Sequence, residues 1–239
     1  IEEGLGKSFR PLAIMFSVSG MLGCIVFFQA NQLSQIIRDY LYAPMHLFQS
    51  DINAGNFLTG ILVAALVGAV IFGGIQRIAK VASRMVPTMV GLYIIAAFLI
   101  LSNNIGDIPG VFAMIINDAF TGNAVSGGAL GSMIIIGVRR GMFSNEAGTG
   151  TETMAHGAAK TTEPVREGLV AMLGPFIDTI IVCSITAIII LISGVYVEDL
   201  NGVSMTAEAF KRELGTPGQI FLTVAVINFA LSTMFGYSY

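Results

Sequence analysis

The chain has 239 residues, of which 54% are apolar and only 11% charged, with 28 glycines, no tryptophan and a mean hydropathy of +0.79. A soluble domain carries about 25% charged residues, so a water-soluble fold is excluded, and so is disorder, which needs high charge and low hydrophobicity. A net charge of −3 without a basic stripe argues against a nucleic-acid surface. The two cysteines, Cys24 and Cys183, sit singly inside apolar runs, read as small hydrophobes, and offer no disulfide framework or CxxC metal site.

What remains is an all-α membrane protein, a polytopic helix bundle. Crossing the hydrocarbon as a helix takes roughly 20 apolar residues. The uncharged runs predict spans at about 11–36, 56–76, 85–104, 126–159, 166–197 and 216–237, in a single transmembrane domain covering 1–239. The first span fades into the polar residues Gln29, Asn31 and Gln32, and the fourth is irregular. Residues 108–120 are too short and too polar to span and read as a surface or half-inserted helix. Over 203–214, Val203, Ala207, Phe210 and Leu214 recur at helical spacing with charges between them, which predicts an amphipathic helix outside the bilayer. Pro87, Pro164 and Pro217 suit the first turns of helices, with Thr162 and Thr216 as N-caps before two of them.

The opening IEEGLGKSFR has none of the features of a signal peptide, and Tyr239 falls at the end of an apolar run. The chain therefore reads as a fragment of a longer membrane domain, with helices expected on both sides. Lys7, Arg10, Arg77, Lys80, Arg84, Lys160 and Arg166 fall in one set of alternate loops, against Arg38, Lys211 and Arg212 in the other. Positive charge collects on the cytoplasmic side, so a multi-pass protein of the cell membrane is expected, with the fragment's N-terminus on the cytoplasmic side.

Residues 137–160, GVRRGMFSNEAGTGTETMAHGAAK, are the least membrane-like part of the chain, yet they join an outer loop to an inner one. Ser-Asn-Glu followed by Ala-Gly-Thr-Gly holds a helix poorly, since glycine costs about 1 kcal/mol relative to alanine and Ser and Asn compete for backbone groups. Two half-helices joined by an unwound stretch at 144–150 satisfy both constraints, and such joints in transporters bind substrates and ions. Spacing alone leaves a second reading open, a loop between re-entrant hairpins or a packed kink. No GxxxxGK[ST] precedes a helix here, so a phosphate loop is excluded.

GVRRGMFSNEAGTG, followed by AHGAAKTTEPVREGLVAMLGPFIDTIIVCSITAIIILISGV, resembles the centre of the sodium:alanine (alanine or glycine:cation) symporter family. IEEGLGK at the start, QAN at 29–31 and FALSTMFGYSY at the end are similar to that family in the same order, so the resemblance covers essentially the whole chain. It implies a five-plus-five inverted-repeat transporter of the LeuT type with a discontinuous helix. Its cargo would be small neutral amino acids, alanine or glycine, carried into the cell with sodium. The pieces present would be the third to eighth core helices, without the broken first helix that supplies half of the substrate site, so this piece alone is not expected to transport.

Candidate substrate contacts are Phe143 as an apolar wall, Ser144, Asn145, Glu146, the open backbone at Gly148, and Gln29 at the end of the first span. Glu146 at mid-membrane costs roughly 3 kcal/mol unless paired or hydrated, and it serves equally to meet a substrate ammonium, neutralise an arginine or cap a half-helix. Arg139 and Arg140, one turn before the break, are gate candidates or else snorkel to the surface. Asp178 interrupts an otherwise uncharged run, which makes it a candidate for cation coordination, a gate pairing or a buried structural pair. Ser232 and Thr233, with Phe229 one turn earlier, offer oxygens suited to a hard cation. The LeuT-type resemblance implies sodium there, and hydroxyl bonding to the backbone is the competing reading. His156 reads as a solvated interface histidine. No GxSxG or HExxH motif supports an enzyme and no cofactor is implied beyond sodium as coupling ion. An ion channel or a non-transporting amino-acid sensor is the alternative function. The expected partners are a small amino acid, sodium and the lipid bilayer.

Overall fold

The computed structural model describes residues 1–120, 137–139, 141–142, 144–145, 153, 156–157 and 159–238. Every regular element among these residues is helical: α1 (Glu2–Leu5), α2 (Arg10–Gly23), α3 (Phe27–Ile37), α4 (Ile52–Ile71), α5 (Gly74–Asn103), α6 (Ile108–Phe120), α7 (Pro164–Ala171), α8 (Ser184–Ser193) and α9 (Val203–Tyr237). Wider π-helical turns continue α3 over Arg38–Tyr42 and link α7 to α8 over Phe176–Cys183. Among the described residues, five segments are long and apolar enough to cross a bilayer: Lys7–Tyr42, Ile52–Ile71, Gln76–Asn103, Pro164–Ser193 and Val203–Tyr237. The protein is thus a polytopic membrane helix bundle. Most of the irregular span expected over 126–159 lies outside the described residues; of the stretch expected to be unwound at 144–150, Ser144 and Asn145 are helical, and 146–150 lie outside the described residues.

Several boundaries differ from the spacing of charges, each for a local reason. The first span is not one helix: α2 ends at Gly23, and α3 begins only at Phe27. Gly23 closes α2 where helix propensity drops, and the β-branched Ile25 and Val26 follow the turn. Asp51 starts α4 earlier than the uncharged run suggests, because its Oδ1 accepts from the Asn53 and Ala54 amides at 3.0 and 3.2 Å. Gly73 and Gly74, the latter at φ 71, end it before the basic residues begin. Pro87 lies inside α5 rather than in a first turn. Nearby, the Thr88 hydroxyl donates to the Arg84 carbonyl at 2.8 Å, a bond back to its own helix that satisfies the threonine in an apolar setting.

By internal contacts the chain divides into two compact units, one drawn from Ile1–Ile25 and Gly131–Ile181, the other from Val26–Leu130 and Val182–Tyr239. The second unit holds the core. Tyr93, Ala97 and Ile100 of α5 pack with Ile189 of α8 and with Ala207, Phe210 and Leu222 of α9, and the Tyr93 ring meets Phe210 at 5.6 Å and Phe229 edge-on at 6.1 Å. A second cluster joins Leu33 and Ile36 of α3 to Ala230 and Met234 of α9. Deep in this packing the Tyr93 hydroxyl bonds Thr186, whose own proton goes to the Val182 carbonyl at 2.7 Å.

The backbone of α9 leaves helical geometry at Gly215, with φ 70 and ψ −162, so 203–214 and 216–237 are two pieces. Glycine is needed there because side chains avoid positive φ, and Pro217 sets the first turn of the second piece. Gly218 is needed for a different reason: a Cβ on it would lie 2.4 Å from the Phe210 carbonyl oxygen. The first piece is tied down by polar bonds. Gln32 Oε1 accepts from the Val203 amide at 3.0 Å, and Gln35 Nε2 donates to Ser204 Oγ at 3.0 Å. Ser204 Oγ donates to Asp39 Oδ2 at 2.9 Å. At the far end Asn104 Nδ2 donates to Glu213 Oε2 at 2.6 Å, and Arg212 pairs with Glu198.

Candidate substrate and ion sites

In the first unit, two adjacent residues of the glycine-rich segment meet two adjacent residues of the π-helical stretch. Ser144 Oγ donates to Asp178 Oδ2 at 2.6 Å, and Asn145 Nδ2 donates to Thr179 Oγ1 at 3.1 Å. All four side chains are half-buried. Asp178 has no cationic partner among the described residues, and its Oδ1 accepts no hydrogen bond there. A carboxylate within a membrane-spanning segment, held by one hydroxyl and with no basic side chain paired to it among the described residues, is a group that a cation would stabilise. The Asn145 carboxamide oxygen is likewise without a partner among the described residues.

The π-helical geometry over Phe176–Cys183 helps place this pair. A π turn carries more residues than an α turn and recurs at functional positions. Thr179 was missed by sequence reasoning. The only available signal was its place beside Asp178, which acquires meaning once Ser144 and Asn145 are known to be opposite. Arg139 is helical and exposed, while Phe143, Glu146, Gly148 and Arg140 lie outside the described residues. His156, further along the same segment, bonds Glu167 of α7 at 2.7 Å, with both side chains partly exposed.

The remaining candidates belong to the second unit. Ser232 Oγ and Thr233 Oγ1 both donate to the Phe229 carbonyl, at 2.9 and 3.0 Å. The hydroxyl protons are therefore committed to the helix, and the lone pairs are what the two oxygens still offer. Ser232 also lies 4.0 Å from the Met89 sulfur. Gln29 is half-buried on α3, and its Oε1 is a buried oxygen without a hydrogen-bond partner among the described residues. Such an orphan acceptor is unusual in a folded protein and calls for a donor or a cation. The structure thus brings Ser144 to Asp178 and gathers Phe229, Ser232 and Thr233 on one turn of α9. Of the two cysteines, Cys183 is exposed rather than packed away.

Comparison with known proteins adds what geometry cannot. The chain is 37% identical over 242 residues to the sodium/alanine symporter AgcS of Methanococcus maripaludis, covering all of this chain and 51% of that protein. It is 34% identical over 240 residues to the probable sodium/glutamine symporter GlnT of Bacillus subtilis, covering all of this chain and 48% of the relative. Against the sodium/proton-dependent alanine carrier protein of Bacillus sp. strain PS3 it is 37% identical over 207 residues, 80% of this chain and 46% of the carrier. The chain spans about half the length of the curated relatives it matches. The family model described as "Sodium:alanine symporter family" matches residues 1–239, and the chain belongs to that family.

Proposed function

We propose that the full-length protein is a sodium-coupled symporter that carries small neutral amino acids, alanine or glycine, into the cell. The observation that carries this reading is the Ser144–Asp178 bond. It joins a neutral hydrogen-bonding residue of the glycine-rich segment to a carboxylate inside a membrane-spanning segment that has no cationic partner among the described residues. Ser144 and Asn145, with Phe143, Glu146 and Gly148 beside them and Gln29 from α3, form the substrate group in this proposal. A zwitterion brings an ammonium for carbonyl oxygens and a carboxylate for amides freed by unwinding. Asp178, and separately Phe229, Ser232 and Thr233, supply oxygen to the coupling ion. Arg139 and Arg140 guard the approach. The chain arrangement is read as part of a five-plus-five inverted repeat, with the N-terminus of this fragment on the cytoplasmic side as the Lys and Arg distribution favours.

Uptake of labelled alanine into proteoliposomes holding the full-length protein, with and without a sodium gradient, tests the reading. Sodium-driven accumulation is expected, with glycine competing and leucine not. Glutamine belongs in the same competition, because one relative is named for it. Uptake indifferent to the gradient, or equal competition by leucine, overturns the proposal.

A further inference from the structure

Beside the turn that joins α3 to α4 lies an open cavity of about 300 Å³, lined by none of the residues assigned above. Its walls include Arg38, Asp39, Tyr42, Phe48, Gln49 and Ile52. Arg38 Nε donates to Asp39 Oδ1 at 3.1 Å, and Asp39 Oδ2 accepts from Ser204 Oγ at 2.9 Å, so the ion pair is pinned to α9. The two terminal nitrogens of Arg38 have no partner among the described residues. A guanidinium with both of these open takes an oxyanion through two parallel bonds. The adjoining carboxylate disfavours a lone anion but accepts an ammonium, because each of its oxygens keeps a lone pair to spare.

The turn beside the cavity holds two strained residues, of which Phe48 lines the cavity. His46 and Phe48 hold left-handed backbone, at φ 55 and 57, a conformation that residues with a Cβ adopt at a cost and that clusters at ligand-holding sites. A bond between His46 Nδ1 and Gln49 Nε2 at 2.8 Å fixes the turn. The Phe48 ring lies 5.2 Å from the Tyr42 ring at 60°, and against Gly55, where an added Cβ would stand 3.2 Å from it. Tyr42 is itself held by a 3.0 Å bond to buried Thr59. Aromatic faces beside a carboxylate suit an ammonium group. With about 30 Å³ for each water-sized group, the cavity has room for about ten heavy atoms.

We propose that this cavity binds a compact zwitterion, with its oxyanion on Arg38 and its ammonium between Asp39 and the Phe48 and Tyr42 rings. Two sources present that chemistry. One is a free small amino acid. The other is the headgroup of phosphatidylethanolamine, which the position favours because the turn connects two membrane-spanning segments and the chain there carries the exposed Leu41, Met45 and Leu47.

The test uses the purified full-length protein and counts bound molecules by native mass spectrometry, without reference to uptake. The probes are L-alanine, glycerophosphoethanolamine, glycerophosphocholine and glycerol phosphate. Wild type is expected to retain glycerophosphoethanolamine, or a second equivalent of alanine, at least tenfold better than Arg38→Gln. Ile52→Trp, which fills the mouth and leaves the ion pair in place, is expected to lose the same ligand. Loss of the second alanine identifies an amino-acid site, and loss of glycerophosphoethanolamine alone identifies a lipid site. Binding that is absent in wild type, or unchanged in both variants, overturns the proposal. So does binding of glycerophosphocholine or glycerol phosphate equal to that of glycerophosphoethanolamine.

Discussion

Ser144 and Asn145 in the first unit bond to residues 34 positions away, whereas Ser232 and Thr233 in the second both bond to the Phe229 carbonyl three and four positions back. The first pair therefore ties one segment to another, and its bonds report tertiary structure. The second pair is satisfied within its own helix and would survive if every neighbour were removed. The lesson concerns what each can hold. A side chain that spends its donor on a distant carboxylate is sensitive to that carboxylate's charge. Two hydroxyls that spend their donors on one carbonyl present only oxygen lone pairs, which accept a hydrogen-bond donor or a cation but cannot themselves donate.

The largest effect that would break this comparison lies at Asp178. Asp178→Asn keeps an acceptor for Ser144 but removes the charge, so sodium-driven alanine uptake by the full-length protein should fall at least ~100-fold while thermal stability is kept, since a carboxylate at membrane depth is itself costly. Uptake with unchanged sodium dependence would remove Asp178 from the ion path and leave Ser144 with a purely structural partner.

Next in size is Gly218→Ala, which probes whether the geometry of α9 sets the α9 pair. Its Cβ would press on the Phe210 carbonyl, and overpacking of this kind costs about 1–3 kcal/mol. Thermal unfolding in detergent should show a fall of several degrees. An unshifted Tm means that the close approach between the two pieces of α9 is looser than described.

Asn145→Ala removes a neutral bond worth about 1 kcal/mol, so alanine affinity should weaken roughly fivefold. If Asn145 acts through Thr179, then Thr179→Val should weaken binding similarly and the double variant should cost little more than either. Fully additive losses in a binding titration would show that the two side chains act separately.

The smallest effect is expected for Ser232→Ala with Thr233→Val. No tertiary hydrogen bond to another oxygen or nitrogen is lost, so stability should hold, and the sodium concentration for half-maximal uptake should rise about threefold, within the range of a single modest polar contact. A change in alanine affinity at saturating sodium, with no change in sodium response, would reverse the roles assigned to the two pairs.

Charge spacing and glycine placement made much of this fold legible. The amphipathic 203–214 piece can be read from Val203, Ala207, Phe210 and Leu214, and Gly215 with Pro217 marks where the helix bends. The start of α4 was hidden because an N-cap aspartate counts as a charge in a loop until its bonds to Asn53 and Ala54 are seen. The interruption after Gly23 was hidden too, since neither a charge nor a proline announces it. Site residues divide in the same way. An isolated Asp178 stands out in an apolar run, but Thr179 looks like any membrane threonine until the opposing segment is placed, because a tertiary pair leaves no periodic trace. The two hydroxyls on α9 were visible as a pair, while the direction of their protons depends on backbone geometry that no spacing encodes.

The bonds from α3 to the start of α9 also bear on the order of assembly. Gln32 waits for an amide 171 residues later, and Gln35 for a hydroxyl 169 residues later. With translation at about 5–20 residues per second, those partners emerge roughly ten to thirty seconds after α3. Throughout that interval the newly inserted helix must keep two glutamines and Asp39 hydrated. Their place near the end of the span, next to the turn, lets headgroup water serve until α9 arrives and replaces it.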